Sequence, residues 1–571
     1  MPALLPTAAA GAEWVLRWRK TLLLFVCLLA TWCYAPGLRA YFAQDDFTLL
    51  ALVRLLQEPA LPFWHDHFPG SLFFRPLGIF VWWLTVALFD NAPRGHYAVN
   101  LLLHLGVVLT LYTLLQRLRR DAPLNVVWTA AYAVHPLAIG TALWLSDRFD
   151  LIATGFSLLA LTAAVDYAQR PRIGRLAAIL ACVLLAFMAK ETAIVGAIAA
   201  AALIALPNRD WPLTWAQRST AVASIALLAV AWLAYRHALQ TNPQDLLLHT
   251  GPLLAMFAKG FALWLRVGIE YLALDPRQAT WMAVALFFGA LLLVVAIALS
   301  ARDQGWRPRN YGIAAAVVVL ILLPGPTQAP VVYLSMHDFT ADKFWFDVVG
   351  ESRLYHLSLA GLVTALMLLT TAPAAAVART NRTGATSLAA VAGLVLLLAA
   401  WVPASHAVAH DFARRTREQI APLQAAQAAI AQLALPPRHC QIYLLNAGSI
   451  WGFDINVDAT IKASSPSPER LEHCLLATER TPWGSFFRNG SVGPEDYAPL
   501  RVLNYQGKPI PWIRVGGLEV AYLDLDADID ARSIDGAFFL EYRNGAFVDV
   551  SAQVRDGTRP VQFYNARPEQ R

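Results

Sequence analysis

Charge is scarce in this chain. Only 15% of its 571 residues are Asp, Glu, Lys or Arg, whereas 57% are hydrophobic and the mean hydropathy is +0.47. So little polar surface cannot cover a soluble globule of this size, and lipid must be its main solvent. A phosphate-cradling glycine loop, a zinc-ligand motif and a serine nucleophile elbow are all missing, which argues against a nucleotide-driven pump, a metalloprotease and an α/β hydrolase. Internal repeats and low-complexity tracts are also absent. No small-x-small cleavage site precedes Tyr41, so the first apolar run, Leu22 to Leu38 behind Arg17, Arg19 and Lys20, reads as a retained anchor. Of the five cysteines, Cys27, Cys33 and Cys182 lie in apolar runs, while Cys440 and Cys474 lie in the polar tail. A disulfide between those two fits an oxidising compartment.

What is abundant is apolar sequence in blocks long enough to cross a hydrocarbon core of roughly 30 Å. Lipid offers the backbone no partner, so these blocks must be helices. The net charge of +6 comes largely from arginines in short loops, as the positive-inside bias produces, and it calls for no nucleic-acid partner. Placing the clusters around Arg19, Arg119, Arg172, Arg218, Arg307 and Arg379 in the cytoplasm predicts about eleven crossings, with the N-terminus inside and the tail outside. Pro76 to Phe89 and Pro252 to Leu274 are then interfacial helices. The first is short and carries Trp82 and Trp83; the second carries Lys259, Arg266 and Glu270 at helical spacing. The expected fold class is mainly α, a polytopic helical membrane protein with a small β-rich or α+β C-terminal domain. Its divisions are a membrane domain over 1–404, a helical connector over 405–435 and a soluble extracytoplasmic domain over 436–571. Alternating segments at Gln441 to Leu445, Val520 to Leu525 and Ala537 to Tyr542 mark the strands.

Under this threading the unusual polar residues collect on one face. Asp45 and Asp46 stand side by side after the first span and before the apolar pattern Leu49, Leu50, Leu52, Val53, where a helix begins. One Asp suffices to cap a helix. A second adjacent carboxylate suits a general base, a ligand of a divalent cation or a binder of a cationic group, and the sequence leaves these open. Asp147, Arg148 and Asp150 crowd a turn between two spans, behind Trp144 and His135-Pro136. Such a turn also serves as a solvated hairpin. Lys190-Glu191 interrupts an apolar stretch, where an ionisable pair is a functional candidate; an interfacial salt bridge is the plainer reading. Asn100 and His104 share a helix face, suited to helix-to-helix hydrogen bonds or to a ligand. Glu351, Arg353, Tyr355 and His356 sit at the mouth of another span. Carboxylates beside cations suit transfer of a group from a lipid phosphate: an Asp takes the acceptor proton and the cations bind the phosphate leaving group.

The order of Asp45-Asp46, Arg75-Pro76-Leu77, Asn100 with His104, His135-Pro136, Trp144 with Arg148-Phe149-Asp150-Leu151, Ala189-Lys190-Glu191 and Glu351-Ser352-Arg353-Leu354-Tyr355 resembles that of the GT-C fold glycosyltransferases. It looks most like the tetratricopeptide-associated O-mannosyltransferases and their bacterial relatives, and more distantly like protein O-mannosyltransferases and aminoarabinose transferases. The resemblance covers about residues 15 to 375. It implies inverting transfer of a sugar, mannose being one candidate, from a polyprenyl-phosphate donor to a protein, lipid or glycan acceptor on the extracytoplasmic face of a bacterial inner membrane. Asp45 or Asp46 would be the base. Arg75 would lie near the donor phosphate or acceptor, Asp150 would match the acidic residue of the second external loop, and Lys190, Glu191, Arg353 and Tyr355 would line the donor site, with His104, His135 and Arg148 beside them. The chain departs from the pattern in having no tetratricopeptide array and a tail from about Ser405 that matches no familiar domain. A lipid-linked sugar transporter or flippase, or a membrane-anchored assembly protein, is the alternative. A transporter would place its ionisable groups mid-span; an assembly protein leaves the doubled Asp without a purpose.

Overall fold

In the computed structural model the apolar runs are helices and the tail is built on two sheets. The structure describes residues 8–56, 58–66, 73–120, 122–208, 211–239, 288–289, 291–295, 297, 310–323, 356–371, 383–437, 440–447, 457–479, 484–489, 501–503, 513–515, 518–524 and 530–563. The expected interfacial stretch Pro252 to Leu274, most of the expected span Trp281 to Ser300, and the segment carrying Glu351, Arg353 and Tyr355 lie outside these residues.

The chain opens with α1 (Ala8–Tyr34), which gives way to a 3-10 turn, Ala35–Arg39, at Pro36. Next come α2 (Asp45–Leu55), α3 (Leu61–Trp64), α4 (Pro76–Phe89) and α5 (Pro93–Leu118). Both α4 and α5 start on a proline, whose missing N–H is no loss in a first turn. Helix α6 (Leu124–Ala133) is followed by a 3-10 turn at Pro136–Ala138 and α7 (Ile139–Leu143). After them run α8 (Arg148–Gln169), α9 (Ile173–Ala189), α10 (Ile194–Ala205), α11 (Trp215–Leu239), α12 (Tyr311–Leu322), α13 (His356–Thr370), α14 (Thr383–Glu418) and α15 (Ile420–Ala431).

Among the described residues five helical stretches are long and apolar enough to cross a membrane: Arg17–Arg39, Pro93–Leu118, Leu145–Gln169, Trp215–Leu239 and Ala389–Ala431. A sixth arises if α6 and the Pro136–Leu143 helix, bent by 54° to one another, form one span. The crossing that the sequence predicts from Asn125 to Leu145 coincides with this bent pair. Pro136 cannot donate to the helical ladder and disfavours helical geometry at His135, which is extended at φ −66° and ψ 136°. The other expected crossings coincide with apolar helices of 10–17 residues: α9, Glu191–Ala205, α12 and α13. Pro76–Phe89, expected at the interface, is likewise a short apolar helix.

The described chain forms two units. One comprises Met1–Gly37, Ala98–Leu233 and Thr250–Asp411; the other comprises Leu38–Tyr97, Ala234–His249 and Phe412–Arg571. In the first, α8 and α9 form a hairpin, α10 packs on α8 and α12, and α12 packs on α13. Small residues permit the close approach: a Cβ at Gly361 would stand 2.7 Å from the Leu320 Cβ.

The second unit holds the sheets. Strands β1 (Cys440–Leu445), β2 (Cys474–Thr478), β3 (Gly484–Asn489), β4 (Arg501–Leu503), β5 (Ile513–Val515), β6 (Leu518–Asp524), β7 (Ala537–Arg543) and β8 (Ala546–Asp549) accompany helices α16 (Val457–Ser464) and α17 (Ser551–Arg555). One sheet has the order β2-β1-β7-β8, with β1 parallel to both β2 and β7 and with β8 antiparallel. The other is antiparallel, ordered β3-β6-β4, with β5 also on β6. Strand β1 is buried on both faces. Ile442 and Leu444 meet α15, α16 and β8 through Ile430, Ile461 and Phe547, while Tyr443 and Leu445 meet Phe539, Val550 and Phe563. Its sequence suggests a one-sided alternating strand, and the structure corrects this: a strand between two parallel neighbours is covered on both faces.

Candidate active site

The acidic pair opens α2. Gln44, just before it, sits at φ 48° and ψ −115°, a backbone conformation that costs a side-chain-bearing residue roughly 1–3 kcal/mol. The two carboxylates differ in setting. Asp46 is fully buried, and its Oδ2 accepts the Ala43 N–H at 3.0 Å while its own N–H donates to the Ala43 carbonyl at 2.9 Å. The carboxylate thus reaches back to an amide just ahead of the helix, the half of a capping box that a first-turn acid supplies. Asp45 is half-buried, in the same first turn, where the helix dipole favours an anion. Phe42 packs edge-on against Phe47 and His96, and the Tyr97 hydroxyl donates to the Tyr41 carbonyl at 2.8 Å. Burial pushes the Tyr41 phenol above its ordinary range, with the Arg54 charge opposing the shift.

Arg75 belongs to the same unit and occupies the N-cap position of α4, with its guanidinium 4.3 Å from the centre of the Phe73 ring. The carbonyl of Arg75 accepts the Ile79 N–H at 3.0 Å, so its backbone starts that helix.

The first unit gathers a second set. The α8–α9 hairpin brings the start of α8 beside the end of α9, and the Lys190 Nζ lies 2.5 Å from the Asp150 Oδ2, with side chains only 8% and 6% exposed. Asp150 stands in the first turn of α8. Lys190 caps α9 in an extended conformation, φ −162° and ψ 149°, so the ion pair closes the open end of the hairpin. Glu191, half-buried, begins the next 3-10 turn, Glu191–Ala193. Arg148 is fully buried and its Nε donates to the Asn100 Oδ1 at 3.0 Å. The Asn100 amide in turn reaches the Thr141 and Trp144 carbonyls at 3.4 Å each. A buried cation and a buried ion pair thus stand within three positions of one another on α8.

His104 is fully buried. Its Nε2 donates to the Ala133 carbonyl at 2.9 Å, one of the acceptors freed by the break after α6, and its ring meets Tyr34 edge-on at 5.1 Å. Tyr132 and His356, joined at 2.9 Å through the His356 Nε2, complete a buried polar cluster around it. His356 is one of the polar residues the sequence marks at the mouth of a span; Tyr132 is the member that residue patterns pass over, because it stands in a largely apolar helix. His135 is engaged by the backbone: its Nδ1 accepts the Leu137 N–H at 3.1 Å, capping the 3-10 turn, and its ring lies 4.4 Å from that of Trp401.

Cys440 and Cys474 form a disulfide between the paired residues of β1 and β2. Together with His473 they are the one group of three His, Cys, Asp or Glu side chains at metal-ligand distance among the described residues. Their sulfurs are joined to each other and the His473 Nε2 meets the Pro436 carbonyl at 2.7 Å, so the trio is already occupied.

No protein-family model matches the chain, and no curated protein matches it. Solved structures do. The oligosaccharyltransferase of Archaeoglobus fulgidus, crystallised with zinc and sulfate, aligns at 11% identity and a TM-score of 0.40, over 80% of this chain and 62% of its own. This chain therefore spans less than two thirds of that protein's length. ArnT from Cupriavidus metallidurans aligns in its apo state at 14% identity and a TM-score of 0.35, over 90% of this chain and 98% of its own. Its complex with undecaprenyl phosphate aligns at 14% and 0.33, over 88% and 97%. The functional reading rests on this chain's own residues.

Proposed function

We propose that this protein is a glycosyltransferase that moves a sugar from a polyprenyl-phosphate donor to an acceptor hydroxyl on the extracytoplasmic face, with inversion and with Asp45 as the base. The carrying observation is the unequal pair at the head of α2. Asp46 is buried and committed to the Ala43 N–H, while Asp45 beside it is half-exposed at a helix N-terminus behind a strained residue. One carboxylate suffices for a cap, and the general base is the role assigned here to the other, less buried one. The Asp45 carboxylate takes the acceptor proton as the acceptor oxygen attacks the sugar C1. The bond from C1 to the phosphate oxygen breaks, and the lipid phosphate departs as an anion that needs no acid. Arg75, in the same unit as Asp45, is the cation assigned to that phosphate. A divalent cation has no step in this scheme.

Two features support the extracytoplasmic side. A disulfide in the tail suits an oxidising compartment, and α2 packs on α16 of the tail within one unit, so the acidic loop and the tail share a side. The test is transfer of radiolabelled sugar from a panel of polyprenyl-phosphate donors in membranes holding wild type, Asp45→Asn or Asp46→Asn at matched levels. Transfer that collapses in Asp45→Asn supports the assignment. Silence of the wild type across the panel refutes the enzyme, and undiminished transfer by Asp45→Asn refutes the base.

A further inference from the structure

Three hydrogen bonds tie the acidic loop and its helix to residues 375, 377 and 409 positions later. The Tyr41 N–H donates to the Thr416 Oγ1 at 3.0 Å, the Gln419 side-chain amide donates to the Phe42 carbonyl, and the Arg54 Nη1 donates to the Ala463 carbonyl at 2.7 Å. The first two hold the chain just before Asp45; the third holds the far end of α2. All belong to the second unit.

Arg54 is the most connected of these hooks. Its Nη2 also pairs with the Asp90 Oδ1 at 2.5 Å, at the end of α4, and the Asn91 amide reaches the same Ala463 carbonyl at 3.3 Å. The carbonyl that Arg54 grips lies near the end of α16, where the helical ladder leaves acceptors without partners. Helix α16 is itself fixed to the sheet. The buried Asp458 accepts the Leu476 N–H of β2 at 3.0 Å and pairs with Lys462 at 2.9 Å, and β2 is cross-linked to β1 by the disulfide. An unbroken series of bonds therefore runs from the sheet through α16 and Arg54 to the helix that carries the acidic pair.

We propose that Arg54 is a positioning residue through which the C-terminal domain holds the acidic helix in its working register, so that the tail acts as a clamp on the reaction site. The link to catalysis rests on the proposed function above; the clamp itself does not. A guanidinium spans two acceptors in a fixed fork, which an ammonium cannot do, so lysine restores one contact and not both.

The experiment uses the full-length protein as wild type, Arg54→Gln and Arg54→Lys, with Arg532→Gln as a control, since Arg532 pairs with Asp530 on the surface of the same unit. Amide hydrogen exchange is followed in Thr48–Leu56 and in β1 and β7. Loss of a charge-assisted hydrogen bond predicts exchange about 10- to 100-fold faster in Thr48–Leu56 of Arg54→Gln, an intermediate change in Arg54→Lys, and none in β1 or β7. Transfer assays on the same proteins should lower kcat in that order and leave the acceptor KM unchanged. Unchanged exchange in Thr48–Leu56 overturns the clamp whether or not sugar is transferred. Faster exchange everywhere also overturns it, because Arg54 would then be a general stability residue. Faster local exchange with undiminished kcat in an active wild type overturns the positioning role. A wild type that transfers no sugar sinks the proposed function, while the exchange data still decide the clamp.

Discussion

Replacing Lys190 by methionine leaves the Asp150 carboxylate without its cation at a site where it is 6% exposed. The converse change, Asp150→Asn, takes away the carboxylate 2.5 Å from the ammonium where the latter is 8% exposed. Breaking a buried pair from one side costs about 3–5 kcal/mol, because the remaining charge has lost both water and partner. Removing both charges removes the problem, so the double variant should lie within about 1–2 kcal/mol of wild type. The predicted coupling energy is therefore at least about 4 kcal/mol, far above the ~0.5 kcal/mol within which independent sites add. Unfolding rates of the four proteins, measured in detergent as SDS is added, give that coupling directly. They also respect the irreversibility expected of a large membrane protein. Two additive single variants, each costing under about 1 kcal/mol, would refute the claim that the pair closes the α8–α9 hairpin. Sugar transfer separates structure from chemistry: if the pair also serves the donor, the double variant is stable and inactive, whereas a purely structural pair yields a stable, active protein.

Asp45→Asn should cut kcat by about 10²- to 10⁴-fold with little change in thermal stability, as expected for loss of a general base. Asp46→Ala should instead cost about 1–3 kcal/mol, because the buried Ala43 N–H loses its acceptor, read from the same unfolding assay. Glu541 gives a pH test. Burial acts to raise its pKa, but the ion pairs with Arg559 and Arg543 outweigh it and hold the carboxyl below its ordinary range. Its contribution to stability is then fully present above the unfolded value of about 4.3 and is lost as the pH falls through the lower folded value. Wild type should lose stability over that acid window, and Glu541→Gln should show a shallower loss. Cys440→Ser removes a cross-link between residues 34 positions apart and should cost about 3–4 kcal/mol, seen as a matching loss in wild type under reductant.

Much of this was legible in local pattern. Apolar blocks announce spanning helices because lipid leaves the backbone no alternative. The segments around Gln441, Val520 and Ala537 announce strands that the structure contains as β1, β6 and β7. The acidic pair and Lys190 stood out because charge is scarce around them. Local pattern could not decide what those charges touch. That Asp46 is buried against the Ala43 N–H and Asp45 only half-buried depends on the turn at Ala43–Gln44, and that Lys190 meets Asp150 depends on how the α8–α9 hairpin closes. The break at His135 was marked by Pro136, but the apolar residues on either side concealed it. The union of the acidic loop with the tail left no sequence signal, since the Arg54–Ala463 hydrogen bond joins residues 409 positions apart. Helical periodicity repeats within a few residues and can be read from the chain; a contact between distant segments exists only once the intervening chain has folded, and tertiary structure alone decides it.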